Sequence, residues 1–298
     1  MRSEALTLRP VAETLRAYIA LTKPRIIWLL LVTTVPAMVL AEEGWPSPWL
    51  IAATLVGGML AAGGANAINQ YADRDIDALM ERTRERPLPM GILEPFQALA
   101  FGLALAAASG VWLSLTVNVL AAALAVGAFA FYVGVYTYYL KRSTVQNIVL
   151  GGAAGAAPPM IGWAAVTGEV SVAAVFLFLI VFYWTPPHFW ALSLVLADDY
   201  RRAGVPMLPV VRGEEETKRQ IGLYALMLVA LALAFTVIAG MSLIYFSTAV
   251  IGGAIFLWLT WRLYRAPGTQ GALTLFHYSI SYLTLLFGAI AVDQLALG

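Results

Sequence analysis

The sequence predicts an all-α, polytopic membrane protein whose nine transmembrane helices form one bundle around a cavity that faces the cytoplasm. Composition is the first reason: 61% of the 298 residues are hydrophobic and 12% are charged, whereas soluble domains carry about a quarter charged residues. The mean hydropathy of +0.80 agrees with this class. The second reason is the spacing of the apolar runs, and the third is the one-sided distribution of lysine and arginine.

Nine apolar runs are long enough to cross about 30 Å of hydrocarbon. Most connections between them are short. The runs lie at residues 25–41, 49–70, 97–116, 118–138, 145–166, 171–193, 220–241, 246–264 and 273–294. We therefore expect one integral-membrane domain over residues 1–298, with longer cytoplasmic loops at 71–96 and 194–219.

All 18 Lys and Arg residues fall in five segments that these helices place on one side of the membrane. Basic residues concentrate in cytoplasmic loops, so the N-terminus is expected in the cytoplasm and the C-terminus in the periplasm. The N-terminal basic group comprises Arg2, Arg9, Arg16, Lys23 and Arg25.

Residues 1–18 contain two acidic residues and lack a long apolar core, so neither a secretory signal nor an organellar transit peptide is expected. A bacterial inner membrane is the expected location, with membrane lipid as a partner. The net charge of +1 indicates no nucleic-acid partner. The absence of cysteine excludes disulfides, thiolate metal sites and cysteine nucleophiles.

A dense block of charge, NQYADRDIDALMERTRERPLP at residues 69–89, directly follows the second apolar run. If the helix continues past residue 69, Asn69, Asp73 and Asp77 share one face over about two turns. Two carboxylates below an amide suit a hard cation such as Mg2+. Arginines, which suit phosphate oxygens, follow at once. The pattern indicates a Mg2+-diphosphate site, and a solvated cytoplasmic helix is the alternative.

The loop after the sixth run repeats this order of acid and then base. Asp198 and Asp199 are adjacent, and Arg201 and Arg202 follow. Neighbouring helical residues point about 100° apart, so one carboxylate would face a metal and the other a basic partner. Two such loops facing each other would hold a diphosphate and neutralise the charge that develops as it leaves. An ordinary charged loop is the alternative, and the glutamates at 214–216 are expected to be a solvated run before the next helix.

Ionisable residues within membrane segments are functional candidates by default. His188 follows Pro186 and Pro187, which cannot donate backbone hydrogen bonds and are expected to open or kink the helix. Its place beside this break and between Trp184 and other aromatic residues favours a substrate contact. His277, near the cytoplasmic start of the ninth run, has packing as its simpler interpretation.

Tyrosines are dense around the turn after the fourth run, where Lys141 and Arg142 follow them. Interfacial tyrosines usually form a membrane belt, and any that face inward would shield an allylic cation. The two basic residues are either topology charges or diphosphate ligands.

A membrane-embedded diphosphate site implies a lipid-like substrate, because an apolar tail can lie in the bundle while its head stays at the loops. The spacing of Asn69, Asp73 and Asp77 resembles the first aspartate motif of the UbiA-type intramembrane prenyltransferases. Within them, the chain resembles the protohaem IX farnesyltransferases (haem O synthases) from end to end. The matching stretches are YIALTKPRI at Tyr18, DRDIDALMERT at Asp73, YTYYLKRSTVQN at Tyr136, GGAAGAAPPMIGWAAVTG at Gly151, WTPPHFWAL at Trp184, DDYRRAGVPMLPVV at Asp198 and LFHYSISYLTLLF at Leu275.

The resemblance implies that farnesyl diphosphate is ionised with Mg2+, with Mn2+ as an alternative metal. The farnesyl carbon is then captured by the 2-vinyl group of haem B, and water completes the substituent of haem O. The implied metal ligands are Asn69, Asp73, Asp77, Asp198 and Asp199, and Lys141 joins Asn69, Asp73, Asp77 and Asp199 as the catalytic set. The implied diphosphate-binding residues are Arg82, Arg86, Lys141, Arg142 and Arg202.

His188, Trp184 and His277 are the implied haem-binding residues, His188 through the iron or a propionate. The second motif departs from that of the aromatic-acceptor enzymes, since no carboxylate lies four residues from Asp198 or Asp199. This leaves the number of Mg2+ ions open and fits an acceptor other than a phenol. Docking of a haem A synthase partner is left open as well.

Two other functions remain as alternatives. A UbiA-type transferase for a quinone or chlorophyll precursor would share the chemistry but use another acceptor. A secondary transporter would fit nine helices and paired prolines, yet no Asp or Glu lies at the centre of any predicted helix. A purely structural subunit would not need two matched loops of acid and base.

Overall fold

The computed structural model describes residues 11–297, and within them every side chain except those of residues 25–31 and 297. Eight helices among the described residues are long and apolar enough to cross a membrane. A ninth, Pro24–Glu42, coincides with the first predicted run, and its described part Val32–Glu42 is apolar. The chain is a polytopic all-α membrane protein, which confirms the predicted fold class. Arg2, Arg9 and the Arg25 side chain lie outside what is described.

The helices are numbered in chain order, and a π-helical stretch continues α6. The bounds are α1 Val11–Thr22, α2 Pro24–Glu42, α3 Pro48–Ala72, α4 Arg74–Leu79, α5 Pro95–Thr116, α6 Val119–Ala130 with the π-helix Phe131–Leu140, α7 Lys141–Ser143, α8 Asn147–Thr167, α9 Val172–Val195, α10 Ala197–Arg202, α11 Leu208–Val211, α12 Gly213–Ile238, α13 Leu243–Arg265 and α14 Ala272–Leu297.

Two expectations about individual helices were wrong. The glutamates at 214–216 form the first turn of α12 instead of preceding it, because carboxylates stabilise the positive end of the helix dipole. Helix α9 is helical throughout Pro186 and Pro187, so the expected opening is wrong, whereas the expected kink stays a prediction. Each proline removes the bond that its own nitrogen would donate and crowds the preceding turn, but packing against α8, α12 and α14 supports the helix.

Helix α3, whose C-terminal end carries the first acidic motif, is held by close backbone packing against α5. A β-carbon at Gly64 would lie 2.6 Å from the carbonyl oxygen of Gly102, and one at Gly102 would lie 2.9 Å from that of Gly64. Small residues allow membrane helices to approach this closely. The contact fixes α3 in the bundle and therefore fixes where its last turn ends.

The opposite end of the bundle carries a buried carboxylate with a structural role. Asp293 in α14 is 4% exposed. Its carboxylate accepts hydrogen bonds from the backbone N–H groups of Ser242 and Tyr245 at 2.9–3.1 Å. These are donors at the first turn of α13, which have no partner within the helix. Asp293 therefore caps α13 and joins it to α14.

Candidate functional site

Asn69, Asp73 and Asp77 share one face, as their spacing predicts. Helix α3 ends at Ala72, and Asp73 leaves the helical region with φ −93° and ψ 5° before α4 begins. The backbone bonds of four-residue spacing nevertheless continue, from Asp73 N to Asn69 O at 2.9 Å and from Asp77 N to Asp73 O at 2.8 Å. All three side chains are buried, with exposed fractions of 3%, 0% and 2%.

Cations surround these two buried carboxylates. Lys141, at the end of the π-helix, forms an ion pair with Asp73 Oδ2, which also accepts a 2.7 Å hydrogen bond from Asn69 Nδ2. Arg86 Nη1 lies 2.6 Å from Asp77 Oδ2. Pairing is the condition under which buried carboxylates stay ionised.

Asp73 Oδ1 is buried and has no hydrogen-bond partner. Arg142 Nη2 lies 3.6 Å from it. Leaving such an acceptor unpaired costs about 1–3 kcal/mol, so this oxygen is suited to a bound cation. Among the described residues no three His, Asp or Glu side chains gather as a metal cage. Mg2+ is usually bound by one or two carboxylates together with substrate phosphates. Asp73 and Asp77 can supply these carboxylates.

Arg142 is engaged mainly with the exposed Asp75. It donates two hydrogen bonds of 2.7 Å to that carboxylate and one of 2.8 Å to the carbonyl of Ala72. The hydrogen bond from Arg142 lowers the pKa of Asp75 to about 2. Arg142 therefore braces the α3–α4 junction at the rim of the site.

The two carboxylates of the second acidic stretch lie in different environments. Asp199 is 6% exposed, pairs with Arg202, and accepts a 3.2 Å hydrogen bond from the backbone N–H of Glu81 in the first loop. Burial by itself would raise the pKa of Asp199, but the Glu81 N–H and the Arg202 guanidinium outweigh it and hold the pKa below its usual range. Asp198 is 82% exposed and pairs with Arg201.

Asp199 thus joins the loop that follows α9 to the loop that follows α3, and the structure does not bring Asp198 to the carboxylates of the first motif. The positive charge of Arg82 acts on the Tyr200 side chain at the same junction. Of the predicted phosphate-binding residues, Lys141 and Arg86 contact the acidic motif directly. Arg82 and Arg202 lie where the loops meet.

Lys23 also belongs to the site, although the sequence predicted for it only a role as one of the basic residues that set membrane topology. Its Nζ donates a 3.0 Å hydrogen bond to Asn69 Oδ1. Lys23 has left-handed backbone angles, φ 52° and ψ 60°, between α1 and α2. The preceding residues are fastened to α3, since Asn66 donates to Thr22 O at 3.0 Å and Gln70 donates to Leu21 O at 2.8 Å. The only local signal is a lysine immediately before the proline that starts a helix.

Burial and the nearby positive charges of Arg86 and Lys141 lower the pKa of Lys23 to about 7. With Lys23, the site has more cations than its two buried carboxylates balance. Such an excess suits an anion with several oxygens.

The π-helix supplies the remaining wall of the site. Thr137 Oγ1 accepts a 3.3 Å hydrogen bond from Asn69 Nδ2, and Tyr132 lies within electrostatic reach of Asp73 and Asp77. The rings of Tyr132 and Tyr136 have centroids 5.2 Å apart. π-Helical turns are rare and occur frequently at functional sites. Some tyrosines of this turn therefore face inward, while others, such as the 67% exposed Tyr139, face outward.

The predicted haem-binding residues form a separate cluster. His188 is 6% exposed, and Trp184 stacks on it with centroids 4.3 Å apart. Its Nδ1 lies 2.7 Å from Ser279 Oγ in α14. His277 is exposed. Among the described residues this cluster has no hydrogen bond or ion pair to the acidic motif.

A family model described as the UbiA prenyltransferase family matches residues 30–286. A protein from Clavibacter michiganensis subsp. michiganensis described as protoheme IX farnesyltransferase is 54% identical over 288 residues, which cover 96% of this chain and 94% of that protein. Proteins of the same description from Streptomyces avermitilis and Gloeobacter violaceus are 52% and 51% identical. They match 96% of this chain each, and 95% and 94% of their own length.

Two solved structures share the fold at low identity. A digeranylgeranylglyceryl phosphate synthase superposes with a TM-score of 0.80 at 18% identity, covering 96% of this chain and 100% of that one. A UbiA homologue from Archaeoglobus fulgidus, bound to DMAPP and Mg2+, superposes with a TM-score of 0.61 at 18% identity, covering 92% and 99%.

Proposed function

The chain belongs to the UbiA prenyltransferase family and is a prenyltransferase, and from this premise we propose that it transfers farnesyl from farnesyl diphosphate to haem B. The C1–O bond of farnesyl diphosphate breaks, and C1 bonds to the terminal carbon of the 2-vinyl group. Water adds its hydroxyl to the inner vinyl carbon and releases a proton. The products are haem O and diphosphate. The relatives described as protoheme IX farnesyltransferases support this acceptor.

The observation that carries the proposal is the buried Asp73 oxygen without a hydrogen-bond partner, in a site where Lys23, Lys141 and Arg86 lie around two buried carboxylates. Asp73 and Asp77 would hold Mg2+, for which Mn2+ is an alternative, and Asn69 would hold it once its oxygen is released from Lys23. The A. fulgidus homologue described with DMAPP and Mg2+ supports a divalent metal. When bound, the metal supplies Lewis-acid stabilisation of the leaving diphosphate.

The protein's own cations act on the same leaving group. Lys141 and Arg86 hold phosphate oxygens from two sides, and Lys23 lies close enough to join them. These charges are fixed before the reaction by their carboxylate and amide partners, so they stabilise developing negative charge without reorganisation. Asp199 keeps the second loop against the first, which positions Arg82 and Arg202 near the entrance.

Haem B is held at the cluster of His188 and Trp184. Asp198 and His277 are left out of the proposed site because their side chains are exposed.

The proposed location is a bacterial inner membrane with the N-terminus of the protein in the cytoplasm, as the one-sided basic residues indicate. A haem A synthase is the proposed consumer of the product, and its docking surface is not assigned.

The test is an assay of the purified protein in detergent with haem B, farnesyl diphosphate and Mg2+, reading haem products by mass spectrometry. We expect a product heavier by farnesyl plus water, lost with EDTA and reduced roughly 100-fold or more in Asp73→Asn. Asp198→Asn is the matched control and should keep wild-type activity. Prenylation of 4-hydroxybenzoate in place of haem B would overturn the acceptor but keep the mechanism. No transfer to any acceptor by folded protein would overturn the proposal.

A further inference from the structure

The His188 ring is fixed between two aromatic faces. Trp184, one helical turn earlier in α9, stacks on one face with centroids 4.3 Å apart and planes 18° apart. Phe276 of α14 stacks on the other, with centroids 4.5 Å apart and planes 23° apart. Trp184 Nε1 also donates a 2.7 Å hydrogen bond to Ser279 O. Both faces of the imidazole are therefore covered, and only its edges can contact other groups.

The hydrogen bonds of Ser279 determine which imidazole nitrogen carries the proton. A hydroxyl has one hydrogen to donate, and Ser279 Oγ donates it to the carbonyl of Phe276 at 2.6 Å. Ser279 can then only accept at its 2.7 Å contact with His188 Nδ1. In this arrangement Nδ1 carries the hydrogen, and Nε2 of the neutral ring is a bare nitrogen with a lone pair.

The hydrogen bond found for the ring among the described residues is the one at Nδ1, and none is found at Nε2. A histidine used only for packing would leave this nitrogen unpaired at a free-energy cost. A bare nitrogen cannot donate to a propionate, but it is the form of imidazole that ligates iron. A histidine whose other nitrogen donates to an oxygen is the usual arrangement of a metal ligand.

Because haem B is the proposed acceptor, we propose that His188 Nε2 is an axial ligand of the haem iron and that Ser279 is the residue that positions it. Ser279 holds the ring in the tautomer that leaves Nε2 free. The role deepens the proposed function, since it separates iron ligation from a contact with a propionate. An iron ligand on α9 would fix how deep the porphyrin lies.

The experiment compares haem B with metal-free protoporphyrin IX, titrated into purified protein in detergent and followed by absorption and electron paramagnetic resonance. In His188→Gln we expect the nitrogen-ligand signature of the iron to disappear and the affinity for haem B to fall roughly 10–100-fold. The affinity for protoporphyrin IX, which has both propionates but no iron, should stay unchanged. His277→Gln, the same change at the exposed histidine, should leave both affinities and the spectrum at wild-type values. Equal weakening of both porphyrins by His188→Gln would overturn iron ligation.

Two further variants separate positioning from folding. Ser279→Ala should alter the iron spectrum and weaken haem B binding roughly 10–100-fold without weakening protoporphyrin IX. His188→Gly, supplied with external imidazole, should recover the nitrogen-ligand spectrum, and it does so independently of how well Ser279→Ala folds. An unaltered spectrum in folded Ser279→Ala would overturn the role of Ser279.

The product assay, run in parallel, distinguishes failure of iron ligation by His188 from failure of the proposed farnesyl transfer to haem B. If the wild type makes haem O but His188→Gln keeps the wild-type iron spectrum, iron ligation by His188 is overturned and the proposed function stands. If the wild type neither binds haem B nor converts it, both are overturned.

Discussion

The ion pair between Arg86 and Asp77 gives a direct test of what holds the candidate site together. Its two atoms are 2.6 Å apart, and the carboxylate is 2% exposed whereas the guanidinium side chain is 20% exposed. Replacing Arg86 by Met would leave a buried charge without its partner, which costs about 3–5 kcal/mol. Lys23 still attracts this carboxylate, so we expect the lower end, about 3 kcal/mol.

Removing both charges should cost much less than this. Asp77→Asn alone leaves a guanidinium that can still reach water, so we expect a loss of about 1 kcal/mol. In the double variant Asp77→Asn with Arg86→Met no buried charge lacks a partner, and its loss should be about 1–2 kcal/mol. The two changes should therefore be coupled by about 2–3 kcal/mol.

The assay is thermal unfolding of the purified variants in detergent at one fixed scan rate, because irreversible unfolding depends on that rate. At roughly 2 °C per kcal/mol for a chain of this size, Arg86→Met should melt about 6 °C below wild type, and the double variant about 2–4 °C below. Arg201→Met is the matched control, since its pair with Asp198 is 59% and 82% exposed, and it should shift by about 1 °C or less. Equal shifts in the two arginine variants, or a double variant that loses the sum of both singles, would refute the reasoning.

Three further predictions concern other parts of the site. The pKa of Lys23 is lowered to about 7 in the folded protein, so the unfolded chain binds more protons between about pH 7 and 10.5. The contribution of Lys23 to stability therefore rises with pH over that range. Without divalent cations, Lys23→Met should raise the melting temperature most at pH 6 and progressively less towards pH 10, and a gain independent of pH would contradict this. Asp199→Asn should speed tryptic cleavage of the loop between α4 and α5 roughly tenfold, because the acceptor of the Glu81 N–H loses its charge and its ion pair with Arg202. Cleavage of Asp198→Asn at the wild-type rate is the control. A β-carbon at Gly151 would lie 2.3 Å from a tyrosine ring of the π-helix, so Gly151→Ala should reduce prenyl transfer by roughly tenfold or more. Gly155→Ala is the control, because a β-carbon at Gly155 would meet no neighbouring atom, and it should keep wild-type activity. Equal activity of the two variants would show that the π-helix does not belong to the site.

Local patterns in the sequence were sufficient for the fold class and for the first acidic motif. An apolar run in lipid must form a helix to satisfy its own backbone, whatever it packs against, so hydropathy predicts the spans without knowledge of their neighbours. Asn69, Asp73 and Asp77 share a face because the four-residue hydrogen bonding survives the irregular backbone at Asp73. The resemblance to prenyltransferases rested on ordered motifs along the whole chain, and the family membership confirmed it.

The different environments of two adjacent residues were harder to predict from the sequence. The sequence identified Asp198 and Asp199 together, but the side chains diverge, one to solvent and the other to the first loop. Their different environments depend on where Glu81 lies, far away in the chain. The predicted opening of α9 at the paired prolines was wrong, because a single helix considered alone lacks the packing that supports it.

The sequence by itself determined which segments form apolar helices long enough to span a membrane and which short motif carries paired carboxylates. The π-helical form of Phe131–Leu140 was not among these predictions. Only the tertiary structure decided that Lys23 reaches Asn69, that Asp73 keeps one oxygen without a partner, and that Ser279 orients the ring of His188. The physical reason is the range of the interactions. Helical periodicity and hydropathy act between residues close in the chain, whereas hydrogen bonds and ion pairs join side chains from helices that meet only when the bundle packs.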